Sequence, residues 1–357
     1  MTRTLKILAF GTVGILASLS GHAQTSATTA PVGFVEVKCL SGSDTRVSVP
    51  FHEPSEYVGA LSATPAINGG SATIAVATSP GWADNEFANL YYIRFTSGTK
   101  EGYWFTVTAN TSSSLTIDLN GDGLSGVAAG SGFKVVRHWT LETLFPIGNS
   151  TIHQSDGLFI FQRKTQILFP DMERDGINLA ANRVFFQIST GWKEASAGTP
   201  DANNVIILPD MFFIIRHRST DANTFFLPSG TVEIEPVVSQ LHSITSSAQD
   251  NFVALSRPVP VKLKDSNLVE SGAFAKSTGL FIFQRTDQLL VFDNSKTGVN
   301  KAASSVYFHD GTNWRSAAAG TPIADDDEVF QPGTGVVVRK KATTSAAVVD
   351  WKNNPTF

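Results

Sequence analysis

Gly157-Leu158-Phe159-Ile160-Phe161-Gln162-Arg163 returns unchanged as Gly279-Leu280-Phe281-Ile282-Phe283-Gln284-Arg285. The copies lie 122 residues apart and stay in step without a gap from Gly157–Pro200 to Gly279–Pro322, with 23 of 44 aligned positions identical. Shared positions include Asp171 and Asp293, Gly176 and Gly298, Asn178 and Asn300, and Trp192 and Trp314, and Ala-Gly-Thr-Pro closes both copies. After one inserted residue the match resumes with Phe213-Ile214-Ile215-Arg216 against Val336-Val337-Val338-Arg339. A duplication of this size is two copies of one supersecondary unit. The run Leu-Phe-Ile-Phe is apolar at every position, which predicts a strand in a sheet interior with both faces covered.

Around it, each copy predicts a strand at Gln166–Phe169 or Gln288–Phe292, then a loop with Gly176 or Gly298, then a hairpin ending at the Trp. Asp310-Gly311 is the hairpin signal in the second copy. Upstream, Tyr91, Ile93 and Phe95 alternate into a turn, Tyr103, Phe105 and Val107 alternate out of it, and Leu115–Ile117 and Phe133–Val136 follow. Such spacing predicts a small barrel or sandwich. Phe34–Leu40 and Thr45–Phe51 flank Ser41-Gly42-Ser43-Asp44 and read as a hairpin. The expected fold is all-β and mostly antiparallel, an N-terminal small barrel or sandwich followed by two tandem homologous β units. The expected divisions are a signal peptide over 1–23, an N-terminal β domain over 24–145, and β repeat units over 146–245 and 246–357. A weaker echo of Arg137–Leu141 at Arg257–Val261 suggests that each unit begins upstream of the repeated heptad.

The chain has 357 residues, 42% of them hydrophobic and 25 of them Phe, enough for packed cores. Arg3 and Lys6 precede an apolar run to Leu19 and a small-residue site at Gly21-His22-Ala23, the pattern of a secretory signal peptide. The apolar run is shorter than the roughly 20 residues a bilayer needs, which argues for cleavage after Ala23 over an uncleaved anchor, and no later stretch qualifies as a span, since Pro209-Asp210 interrupts Val205–Ile215. Cleavage takes Arg3 and Lys6 from 27 basic side chains, leaving 25 against 31 acids and a formal charge of −6. That balance argues against nucleic acid as a partner. The single cysteine, Cys39, rules out an intramolecular disulfide framework and shares a strand face with Val35 and Val37, which predicts a small buried residue.

Pro31-Val32-Gly33-Phe34, Gly42-Ser43-Asp44-Thr45 before Val47-Ser48-Val49-Pro50-Phe51, Thr96-Ser97-Gly98, Trp139-Thr140-Leu141 before Leu144-Phe145-Pro146, and Pro332-Gly333-Thr334-Gly335 together resemble an uncharacterised family of secreted proteins from environmental Gram-negative bacteria. The resemblance implies export and a β-rich body, and transfers no activity.

Three constellations could carry chemistry. Asp118-Leu119-Asn120-Gly121-Asp122-Gly123 matches the opening of a calcium loop, with Asp118, Asn120 and Asp122 as candidate ligands. Ala129 stands where the bidentate Glu belongs, so a solvated turn is the competing reading and no cofactor is required. Trp192 and Trp314, with Arg163 and Arg285, suggest a duplicated cell-surface glycan site in which indoles stack on sugar rings and guanidinium groups bond hydroxyls. The competing reading makes the same residues core filling. Asp325-Asp326-Asp327-Glu328 reads as a solvated acidic loop. No catalytic motif stands out: Gly-x-Ser-x-Gly is absent, and His52-Glu53-Pro54-Ser55-Glu56 lacks the second His of a zinc-protease helix. The expectation is an exported, non-enzymatic structural or interaction protein whose partner is itself, through strand edges, or a glycan. An uncharacterised hydrolase is the third reading.

Overall fold

The structure, a computed structural model, describes residues 30–355. The leader expected over 1–23 lies outside them. The described chain is all-β with antiparallel sheets, and its one α-helical turn, Leu141–Leu144, is capped by the Thr140 side chain.

The two repeats build two similar sandwiches. In unit 1 a five-stranded sheet runs in the order Gly191–Glu194, Arg183–Ile188, Gln166–Phe169, Phe213–Arg216, Asp44–Val47. In unit 2 the order is Trp314–Ser316, Ser305–His309, Gln288–Val291, Gly335–Lys340, Gln249–Ala254. Successive residues of a strand point to opposite faces. In unit 1, Ile167, Phe185 and Ile215 face a core that also holds Phe145, Trp192 and Phe213, and in unit 2 Leu289, Val338 and Trp314 face its counterpart. A second layer closes each core: Val237–Ser243 pairs with Ala347–Asn353 in unit 2, and Val32–Phe34 and Val37–Cys39 pair with Ser229–Val232 and Thr224–Phe226 in unit 1. Cys39 is fully buried there, and burial pushes its thiol up to about 11.

These pairings redraw the divisions expected from sequence. Val37–Cys39 and Asp44–Val47 do not form a hairpin with each other; each pairs with a strand of the first repeat more than 160 residues away. The region 24–145 is therefore not one domain. Residues 31–52 complete unit 1, and Ser55 to Arg137 form an insertion with its own core. The insertion has seven strands in one sheet, the four expected from Tyr91 onward among them, and Ile93, Phe95, Val107, Leu115 and Phe133 are among its fully buried residues. The echo of unit 1 upstream of the repeat is real in kind but shifted: Trp139 pairs with Ile207 as Val261 pairs with Phe330.

The other faces of the two five-stranded sheets meet. Phe212 and Ile214 pack with Phe252, Leu290 and Val337, and a Cβ on Gly335 would run into the Phe212 ring. Apolar residues on both faces explain the dense hydrophobic runs in these strands. The junction is reciprocal. Arg216 pairs bidentately with Asp44 at 2.6 and 2.8 Å and also reaches Asn300 of unit 2, whose backbone N–H donates to Asp44 at 2.7 Å. Arg339 pairs with Asp250 at 2.7 and 2.9 Å and reaches Asn178 of unit 1, whose N–H donates to Asp250 at 2.8 Å. Asn178 and Asn300 sit at φ +53° and +49°, a conformation Asn tolerates better than most residues. The repeat retains them because each completes the other unit.

The insertion is tied in by a buried carboxylate. Glu233 of unit 1 accepts from Arg94 and Lys134 of the insertion at 2.5 and 3.0 Å, and its carbonyl accepts from Arg257 of unit 2 at 2.7 Å. Burial would raise the Glu233 carboxyl, but Arg94, Lys134 and His52 outweigh it and hold the group down to about 2.

Candidate functional site

The repeated heptad is not a buried strand. Gly157–Arg163 leaves the core of unit 1, makes a three-residue 3-10 turn at Ile160–Gln162, and returns at Gln166–Phe169; the second copy does the same with Ile282–Gln284. Phe159, Ile160 and Phe161 are 67, 74 and 70% exposed, and Phe281, Ile282 and Phe283 are 67, 75 and 76% exposed. The strand expectation fails because an apolar run reads the same whether buried or displayed, and here Gly157 and Gln162 close a turn where a strand would continue.

Each tip is rigidly built from its other residues. Gln162 folds back so that its Oε1 accepts from the Phe159 N–H at 3.2 Å, and the backbone closes with Gln162 N–H to Phe159 carbonyl at 2.9 Å. Gln284 repeats both bonds at the same lengths with Phe281. A Cβ on Gly157 or Gly279 would strike that glutamine, which accounts for the glycines. Arg163 lies over the Phe186 ring at 4.3 Å and donates to the Leu158 carbonyl, and Arg285 lies over Phe308 at 4.5 Å. In unit 1, Arg218 adds donations to the Phe161 and Arg163 carbonyls. With Gly, Gln and Arg assigned to the frame, the four apolar side chains of each tip stand exposed, the leucines least, at 42 and 41% for Leu158 and Leu280. The two Phe rings stack in parallel, 5.7 Å apart in tip 1 and 5.6 Å in tip 2.

Leaving such side chains in water forgoes roughly 1.5–3 kcal/mol for each that a covering surface would bury. Single exposed apolar residues are ordinary, whereas contiguous ones mark contact surfaces. The arrangement can therefore recover several kcal/mol per tip by docking on another apolar surface.

The residues expected to form sites lie elsewhere. Trp192 and Trp314 are 1 and 2% exposed, so neither indole offers a face to a sugar ring. Trp192 Nε1 donates to the Phe145 carbonyl at 3.0 Å, and Trp314 packs on Phe274. The glycan constellation thus comes apart, with the indoles in the cores and Arg163 and Arg285 bracing the tips. Asp118, Asn120 and Asp122 do line a pocket of about 240 Å³ together with Asp210 and His242. Asp122, however, is held by Lys100 Nζ at 2.7 Å, and Asp118 accepts the N–H of Asn120 within its own turn. Among the described residues no group of three or more His, Cys, Asp or Glu side chains converges on a point. In the acidic run, Asp325 accepts the Trp314 N–H at 2.7 Å as Asn203 accepts that of Trp192, and Asp326 pairs with Lys262 and Lys264.

The most charged buried cluster, around Glu233, faces a cavity of about 20 Å³. That is room for about one water, so it braces three parts of the fold and cannot admit a substrate. No helix of the described residues is long and apolar enough to cross a membrane. Set against protein-family models, curated proteins and solved structures, the chain matches none.

Proposed function

We propose that this is an exported, non-enzymatic interaction protein that docks through its two identical apolar tips, either onto further copies of itself or onto an apolar surface outside the inner membrane. The observation that carries the reading is the pair of tips: four contiguous apolar side chains, held outward by a frame of Gly, Gln and Arg, present twice with the same geometry. Export rests on the leader-like sequence over 1–23. Two copies on one framework make attachment bivalent, so weak docking at each tip gains avidity when both engage.

The test is multi-angle light scattering of residues 24–357 across concentrations, beside a variant with Phe159, Phe161, Phe281 and Phe283 all replaced by Ser, and retention of both proteins on a phenyl-bearing matrix. The parent is expected to associate or to be retained, and the variant to stay monomeric and elute freely. Identical behaviour of the two proteins in both measurements would sink the reading.

A further inference from the structure

The junction of the two units encloses a groove of about 740 Å³, within the range of small-molecule sites. Its frame is two-fold: the Asp44–Arg216–Asn300 and Asp250–Arg339–Asn178 clusters stand at symmetric places, and in each the carboxylate and guanidinium neutralise one another. Its furnishing is not. Strand pairing sets Arg46 opposite Ile214 and Phe252 opposite Val337, so Arg46 and Phe252 are equivalent positions. The repeat register likewise makes Lys301 the counterpart of Leu179. One end of the groove therefore carries two cations where the other carries a phenyl ring and an isobutyl group.

The two cations lack a carboxylate of their own. Arg46 stacks on Phe292 at 3.5 Å and donates from Nη2 to the Lys301 carbonyl at 3.3 Å, while its Nη1 is buried with no hydrogen-bond partner. Lys301 Nζ donates only to the carbonyls of Asp293 and Lys296. Burial lowers both groups, Arg46 to about 10, and Arg46 also pushes Lys301 down, against the raising influence of Asp44 on both and of Asp293 on Lys301. The remainder of the floor is Leu168, Phe212, Ile214, Leu290 and Val337. An unpartnered buried donor beside an ammonium that is hydrogen-bonded only to carbonyls, in a chain that is net acidic, is an arrangement that an anionic ligand completes.

We infer that this groove binds an amphipathic anion, its headgroup at Arg46 and Lys301 and its apolar body lying toward Phe252 and Leu179. The duplicated framework supplies the cavity, and the loss of symmetry at these positions gives it a polar and an apolar end. The site is separate from the tips and does not depend on what they dock to.

The experiment is isothermal titration calorimetry of the 24–357 chain with dodecanoate, and with dodecyltrimethylammonium as a probe of the same chain length and opposite charge, both below their micelle concentrations. One dodecanoate is expected per chain, bound at least about tenfold more tightly than the cation. Lys301→Met, at a half-exposed position, should weaken dodecanoate about tenfold or more while circular dichroism stays unchanged. Ala302→Trp, at an exposed alanine on the groove wall, should block both probes. The variant with four tip Phe residues replaced should bind as the parent does, which separates this site from the tips. Absence of saturable dodecanoate binding, equal affinity for the cation, or binding that survives both Lys301→Met and Ala302→Trp would each overturn the inference.

Discussion

Each tip and the strand that begins three residues after it are both apolar, yet they diverged in opposite ways. The tips kept all seven residues, although their four apolar side chains face water. The strands are buried, but Ile167 became Leu289 and Phe169 became Val291 between copies. A core position asks for volume and apolarity, which several side chains supply after repacking. An exposed position asks for neither. Side chains held there unchanged, against the tendency of water to disfavour them, answer to something beyond the fold of the monomer.

The sharpest way to break this comparison is to truncate residues that the repeat keeps for packing. Trp192→Ala and Trp314→Ala each remove a fully buried indole, Trp192 with its hydrogen bond to the Phe145 carbonyl and Trp314 with its packing on Phe274, and each should cost about 3–5 kcal/mol in urea unfolding. A loss under about 1 kcal/mol would mean that the indoles are retained for a ligand after all, as their pairing with Arg163 and Arg285 suggested. Next in size are the reciprocal clusters of the junction. Asp44→Ala and Asp250→Ala each strand a guanidinium that is only a quarter exposed or less, for about 2–3 kcal/mol after allowing for that exposure. Because the clusters are equivalent, thermal unfolding should report the two losses as equal within about 1 kcal/mol. Markedly unequal losses would show that the units are not a symmetric pair in energy as they are in geometry.

Much of this framework was legible. Period-2 alternation marked Tyr91–Phe95 and Trp104–Asn110, turn spacing marked Gly132–Arg137, and the repeat marked Gln166–Phe169 and the hairpin to Trp192. Two things were hidden, for different reasons. Strand partners separated by an 83-residue insertion leave no local trace, so Asp44–Val47 could not be assigned to the first repeat until its pairing with Phe213–Arg216 was in view. The tips were hidden because burial and display use the same apolar letters. Only the flanks differ, with Gly157 and Gln162 closing a turn where a strand would have continued. The groove was unreadable for a third reason, since Arg46 and Lys301 meet only once the two units pack.

Acid separates the interior from the tips in another way. Burial holds His138 down to about 3, and burial with the nearby charge of Lys134 holds His52 down to about 4. Both are neutral in the fold and protonated in the unfolded chain below about 6.5. The unfolded state then takes up more protons, so stability falls as the pH drops from about 6.5 towards 4. Glu233, whose carboxyl is held down to about 2, adds a further loss below its ordinary range. Chemical unfolding in steps from pH 7.5 to 4.5 should show a decline of roughly 5 kcal/mol, and His138→Gln should remove about half of it, leaving the share of His52. A stability that is level over this range would contradict the neutral, buried state of these rings.

The smallest effect on the fold should come from the tips, and it is the one that matters most. Ile160→Ser together with Ile282→Ser removes two side chains that are about three-quarters exposed, and neither touches the Gln162 or Gln284 bonds that close the turns. Unfolding free energy should move by no more than about 0.5 kcal/mol in either direction, as for ordinary surface positions. Docking should behave in the opposite sense: if each isoleucine is buried by a partner, its loss weakens attachment at both tips, and bivalent engagement multiplies the two losses. Gln162→Ala is the complementary change, since it leaves every apolar side chain in place and frees the turn that presents them. Amide exchange over 158–162 should then quicken while the melting temperature holds, and retention on an apolar surface should fall because an unfixed tip must be ordered on contact. If the serine pair unfolds the protein instead, the tips are part of its interior architecture, and the contrast between displayed and buried apolar residues collapses.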